Sequence, residues 1–187
     1  LAILFILVFT VGIINTVRSF QTEQEISKVL NTLTENNGSF GKTKKIETNQ
    51  GREIPSDSFR FFSVTLSGDE VVSQDTSHTS LINDEEAANY ARAASRMTST
   101  LGTIREKNIN LSYQVSKVSK NKILVVFLDT TSYYNSSQAL LSLSILLSMF
   151  GFIFFVIIVS ALSGIVIRPF IRNYEKQRRF ITNAGHE

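Results

Sequence analysis

His186 and Glu187 stand side by side at the C-terminal end of the 187-residue chain, on a stretch whose spacing predicts a helix. A neutral imidazole is a nucleophile near neutral pH, and a neighbouring carboxylate can take the ring proton and keep the nitrogen lone pair free. Such a pair suits an imidazole that attacks a phosphoryl group in line. The same dipeptide could open an H-E-x-x-H zinc motif, in which the His binds metal and the Glu acts on water; a His at position 190 would complete it. The other histidine, His78, lies in the polar run Thr76-Ser77-His78-Thr79-Ser80 and is expected to be exposed, with a ligand or pH-sensing role as the alternative. Tyr113 and Phe127 alternate with other residues as strand aromatics do, which favours the core over a pocket lining.

The elements that must position these groups are dominated by two apolar segments. No charged residue occurs in 1–17, nor in the 29 residues 139–167, and a membrane span needs roughly 20 apolar residues. Ile13-Ile14-Asn15-Thr16-Val17 lacks a small-residue cleavage pattern, so the first segment is expected to be an uncleaved anchor whose N-terminus is truncated. Charge fixes the orientation. Arg168, Arg172, Lys176, Arg178 and Arg179 oppose only Glu175 and Glu187, whereas residues 18–138 carry 14 basic and 14 acidic side chains. The formal +3 thus follows the second segment, which places the C-terminus inside and the middle outside. A basic cluster against the membrane, with no basic folded domain, argues against nucleic acid as a partner. Absence of Cys excludes disulfides and thiolate metal sites.

The middle region, 18–138, reads as an α+β unit with its core at about 59–131. Ile26, Val29, Leu30 and Leu33 share a face of a stalk helix, and 36–58 read as a loop. Phe61 to Leu66 and Val71-Val72 form a hairpin around Ser67-Gly68-Asp69. Asn83 and Glu86 make a capping box for a helix expected to run through Met97 and Leu101 and to end at Gly102. Ile109 to Val115 alternate as a strand buried on one face, and Lys122 to Leu128 are apolar on both faces, as in a central strand. The length supports one small core. Tyr133 and Tyr134 are expected at the outer membrane interface. Ser144, Ser148 and Gly151, and likewise Ser160 and Gly164, share helix faces on which two membrane helices could pack. Beyond Pro169, the residues Phe170, Tyr174, Gln177, Ile181 and Ala184 are spaced 4, 3, 4 and 3, a seam for a parallel homodimer or, alternatively, a face for the inner leaflet.

The octapeptide Phe180-Ile181-Thr182-Asn183-Ala184-Gly185-His186-Glu187 resembles the H-box of bacterial sensor histidine kinases. The middle region looks like a reduced PAS- or Cache-like extracellular sensor, an antiparallel sheet with helices on one side. Phe61-Phe62-Ser63-Val64-Thr65-Leu66 and Val126-Phe127-Leu128-Asp129 resemble ectodomains of histidine kinases of Gram-positive anaerobes. The resemblance implies a multi-pass receptor of the bacterial plasma membrane: a span at 1–17, a sensor domain at 18–138, a span at 139–167 and the start of a dimerisation helix at 168–187. It implies His186 as phosphoacceptor, Glu187 as proton acceptor, and a cytoplasmic response regulator as the next acceptor. ATP and Mg2+ would bind a domain beyond residue 187. With His186 only 17 residues after Pro169, no HAMP relay fits between membrane and H-box. The other readings are a membrane zinc metalloprotease and a non-enzymatic receptor or adhesion ectodomain. The stimulus, whether a ligand or a partner protein, is not legible.

Overall fold

The computed structural model describes residues 2–48, 51–106 and 108–184 and, within these, the side chains of 5–163. Two compact units are present, Ile14–Ala139 on the one hand and Leu1–Ile13 with Leu140–Glu187 on the other.

The unit Ile14–Ala139 is built on a five-stranded antiparallel sheet. Its elements are α1 (Ala2–Glu35), β1 (Lys45–Glu47), β2 (Glu53–Pro55), β3 (Phe61–Ser67), β4 (Glu70–Asp75), α2 (Asp84–Ser95), β5 (Leu101–Glu106), β6 (Ile109–Ser119), β7 (Lys122–Asp129) and the start of α3 (Thr131–Ala184). The sheet order is β4-β3-β7-β6-β5, with β1 and β2 as a separate pair. The apolar run Lys122 to Leu128 is therefore the central strand that its two-faced pattern predicts.

Side chains of β7 alternate between two cores. Leu124, Val126 and Leu128 meet Ile26, Val29, Leu30 and Leu33 of α1 together with Phe40, Phe59 and Phe61. Val125 and Phe127 meet Phe62, Val64 and Leu66 of β3 and Ala87, Ala91 and Ala94 of α2 on the opposite face. The helices thus lie on both faces of the sheet, not on one side, and there are two apolar clusters where one core was expected. The physical reason is the stalk: its Ile26-Val29-Leu30-Leu33 stripe is buried against the sheet, so the core reaches well upstream of residue 59.

Local chemistry sets the element ends. Asn83 Oδ1 accepts from the Glu86 N–H at 2.9 Å, and Glu86 Oε2 accepts from the Asn83 N–H at 3.0 Å, the capping box that opens α2. The α1 helix closes with Asn37 and Gly38 at positive φ, and the Gly38 N–H donates to the Leu33 carbonyl at 2.8 Å. A Cβ on Gly38 would collide with the buried Ser63 side chain.

Three further expectations are corrected. Helix α2 stops at Ser95, and 101–106 form the edge strand β5 instead of its tail. Leu101 pairs with Gln114 and Gly102 with Tyr113, and a Cβ on Gly102 would lie 2.5 Å from the Tyr113 hydroxyl, so the glycine serves close strand packing and not a helix stop. Residues 36–58 contain the short β1–β2 ribbon. Ser112, on the supposedly open face of β6, is only 3% exposed.

In the other unit, side chains of α1 and α3 stand open: Phe5 is 70% and Leu147 71% exposed. Both helices are long and apolar enough to cross a membrane, within Phe5–Glu35 and Thr131–Ser163.

Candidate functional site

His186 and Glu187, with Gly185, lie outside the described residues. Upstream of them, α3 is helical from Thr131, through Pro169, to Ala184, 54 residues in all. The 4-3-4-3 spacing from Phe170 to Ala184 therefore recurs on helical backbone. Pro169 costs one backbone hydrogen bond without ending the helix. Gly164 has no described surroundings. Gly151 has open space around its Cα, and the Ser144 hydroxyl donates to the Leu140 carbonyl of its own helix at 2.8 Å.

Where α3 begins, it is fastened to the sheet. Asp129 Oδ1 accepts from the Thr131 N–H at 2.9 Å, and the Thr131 hydroxyl accepts from the Asn110 N–H at 3.0 Å. The buried Thr130 hydroxyl donates to the Asn110 carbonyl at 3.0 Å and lies 3.1 Å from Ser112 Oγ, which in turn lies 3.2 Å from Thr103 Oγ1. A row of hydroxyls thus joins β5, β6 and the residue preceding α3.

Tyr133 and Tyr134, just before the apolar span, pack against the α1-side core. The Tyr133 hydroxyl is bonded to the Glu25 carboxylate, linking α1 to α3. Burial first, then the Glu25 charge, pushes the Tyr133 phenol up to about 12, so it is the donor in that bond. Burial also raises Glu25, against lowering by the Tyr133 hydrogen bond and by Arg52 and Lys28. A raised carboxylate contributes stability that is fully present below its ordinary value near 4.5 and is lost as pH climbs through the folded value. Tyr133→Phe removes the group that holds Glu25 down. The variant is expected to lose about 1–2 kcal/mol at pH 7, with the deficit shrinking as pH falls toward 4.5 and Glu25 protonates through its raised folded value. Thermal unfolding of the chain in micelles at pH 4 and pH 7 measures this; an equal deficit at both would refute the coupling.

His78 is exposed, as its polar loop predicts, but its ring is fixed. It stacks on Phe61 with centroids 4.4 Å apart, while Ser77 donates to Asp75 from its N–H at 3.0 Å and its hydroxyl at 2.6 Å. Those bonds hold the Asp75 carboxyl below its usual range. Tyr113 and Phe127 are core residues: Tyr113 is 1% exposed with its hydroxyl 2.9 Å from Met97 Sδ, and Phe127 is fully buried against Phe62. They line no cleft.

The structure brings together a set that the sequence did not single out: Glu25 with Tyr133, and Arg105, whose guanidinium carbon lies 5.0 Å from the centre of the Tyr134 ring. The signal available in sequence was two adjacent tyrosines just before an apolar span, which reads equally well as an interface belt.

Compared with known proteins, the chain matches no family model and no curated protein.

Proposed function

We propose that this chain is the sensing and membrane-anchoring part of a receptor histidine kinase. The observation that carries the reading is the order of parts. A folded α+β module stands in sequence between two exposed apolar helices, and the second helix continues into a basic stretch leading to Phe180-Ile181-Thr182-Asn183-Ala184-Gly185-His186-Glu187. Membrane-spanning segments are assigned to 1–17 and 139–167, with the module outside and the basic end inside, because positive flanks remain in the cytoplasm. Exposed faces as apolar as those around Phe5 and Leu147 are costly in water and suit lipid.

In this reading two chains pair along the seam Phe170-Tyr174-Gln177-Ile181-Ala184, and His186 takes the γ-phosphoryl group of ATP. Glu187 receives the imidazole proton, and a response-regulator Asp is the next acceptor. ATP and Mg2+ are held by a domain beyond residue 187. Helix α3 starts in the module at Thr131 and remains helical to Ala184, so a shift of 1–2 Å at its origin is of the size that switches helical receptors.

The test is incubation of the full-length receptor, in membranes, with ATP labelled at the γ-phosphate. Acid-labile, alkali-stable label on the protein supports the proposal. No uptake overturns it. Labelling of single cysteines placed at Lys42 and at Lys176 from either side of sealed vesicles checks the orientation; equal access of both positions from outside overturns it.

A further inference from the structure

Helix α1 covers β3 and β7 with its apolar stripe but cannot seal the neighbouring face of β5 and β6. There the sheet presents Thr103, Ser112 and Gln114, hydroxyls and an amide where close packing would need large apolar side chains. The result is a cleft of about 150 Å³ lined by Glu23, Ile26 and Leu30 of α1, Leu101 and Thr103 of β5, and Tyr134 of α3. At the Leu101 end, Gln114 Nε2 donates to Asn31 Oδ1 across the gap at 2.8 Å, and Gln114 Oε1 is buried without a donor. Glu23 of α1 lines the cleft, and at its Tyr134 end Arg105 of β5 sits beside it, the guanidinium carbon 5.0 Å from the centre of the lining Tyr134 ring. Both are exposed, and neither joins an ion pair among the described residues.

We propose that this cleft binds a small zwitterion, a molecule with an ammonium and a carboxylate on a short apolar frame. The ammonium is placed to meet the Glu23 carboxylate and the carboxylate to meet the Arg105 guanidinium, both charge-assisted contacts. The apolar frame lies against Ile26 and the half-exposed Leu101. The volume lies below the roughly 300 Å³ of a pocket for drug-sized molecules, which limits the occupant to a few heavy atoms beyond its charged groups. An occupant touches α1, the β5 edge and the first turn of α3 together. From Thr103 the hydroxyl row through Ser112 reaches Thr130, next to the origin of α3. That the occupant acts as stimulus rests on the receptor reading; that the cleft binds it does not.

The experiment is isothermal titration calorimetry on the 187-residue chain in lipid nanodiscs, with L-valine as probe and isobutylamine and isovalerate as its two single-charge counterparts. Saturable binding of L-valine is expected, with each counterpart at least about tenfold weaker. Glu23→Gln and Arg105→Gln are each expected to weaken L-valine about tenfold or more. Both positions are exposed, so the variants keep the fold, and unchanged circular dichroism checks this. Leu101→Trp fills the cleft and abolishes binding. No saturable heat with L-valine, equal affinity for the amine or the acid alone, or full affinity in both charge variants overturns the proposal. A chain that binds L-valine while the full receptor takes up no phosphate leaves the cleft assigned and removes the receptor reading; the opposite pair of results removes the cleft alone.

Discussion

His186→Gln in the full-length receptor is expected to abolish ATP-dependent labelling, leaving less than about one per cent of the wild-type signal. Glutamine keeps much of the ring's reach and polarity, but its amide nitrogen lends its lone pair to the carbonyl and cannot attack phosphorus. The loss is therefore chemical, and helix α3 has no reason to change. Glu187→Gln separates the two roles of the dipeptide. It leaves the acceptor in place and removes only the group that takes the proton, so labelling is expected to slow by about 10²–10⁴ and not to vanish. Retention of label in His186→Gln would show that another residue is the acceptor and would end the assignment. A zinc site would give a different pattern, in which both variants lose metal-dependent proteolysis and neither affects phosphate.

What the sequence discloses about this fold depends on how many faces each segment buries. Phe61 to Leu66 and Leu124 to Leu128 are legible because they are buried on both sides, and an apolar run of that length has few alternatives. Strand β5 is not legible. Leu101 and Thr103 line the cleft, Arg105 stands over Tyr134, and of the apolar side chains only Ile104 joins the α2-side cluster, so no alternation of apolar and polar residues marks it. Ala94, Met97 and Leu101 happen to fall at helical spacing, and that pattern extends α2 on paper past its true end at Ser95. Missing β5 also hides the cleft, whose wall it forms.

The double-sided architecture was hidden for a related reason. Ile26, Val29, Leu30 and Leu33 declare an amphipathic helix, but a stripe in sequence does not say what it covers. Here it covers the sheet. The candidate site divides in the same way. The types of His186 and Glu187 are read directly from the chain, while the link from Glu25 to Tyr133 joins residues 108 positions apart and exists only after folding.

Phe127→Ala is expected to cost the module about 3–5 kcal/mol. The ring sits on the central strand with no exposure, stacked on Phe62 at 4.6 Å and tilted against Tyr113 at 5.9 Å and Tyr90 at 6.4 Å. Its removal takes an aromatic partner from three rings at once and leaves a void under α2, where Ala87, Ala91 and Ala94 are too small to fill it. Single domains have only about 5–15 kcal/mol in total, so the variant is close to unfolding. Apolar helices held by lipid would persist and mask this in a bulk helicity signal. Amide hydrogen exchange of β3 and β7 is the suitable readout, and a loss of that size quickens it by about two to four powers of ten. Val72→Ala, half exposed on the edge strand β4, is the matched control and is expected to change stability by less than about 0.5 kcal/mol. Unaltered exchange in Phe127→Ala would mean that the α2-side cluster does not hold the sheet together. The load would then fall on the α1 side, where Leu30 and Leu33 meet Val126 and Leu128, and the stalk helix would be the element on which the module's stability rests.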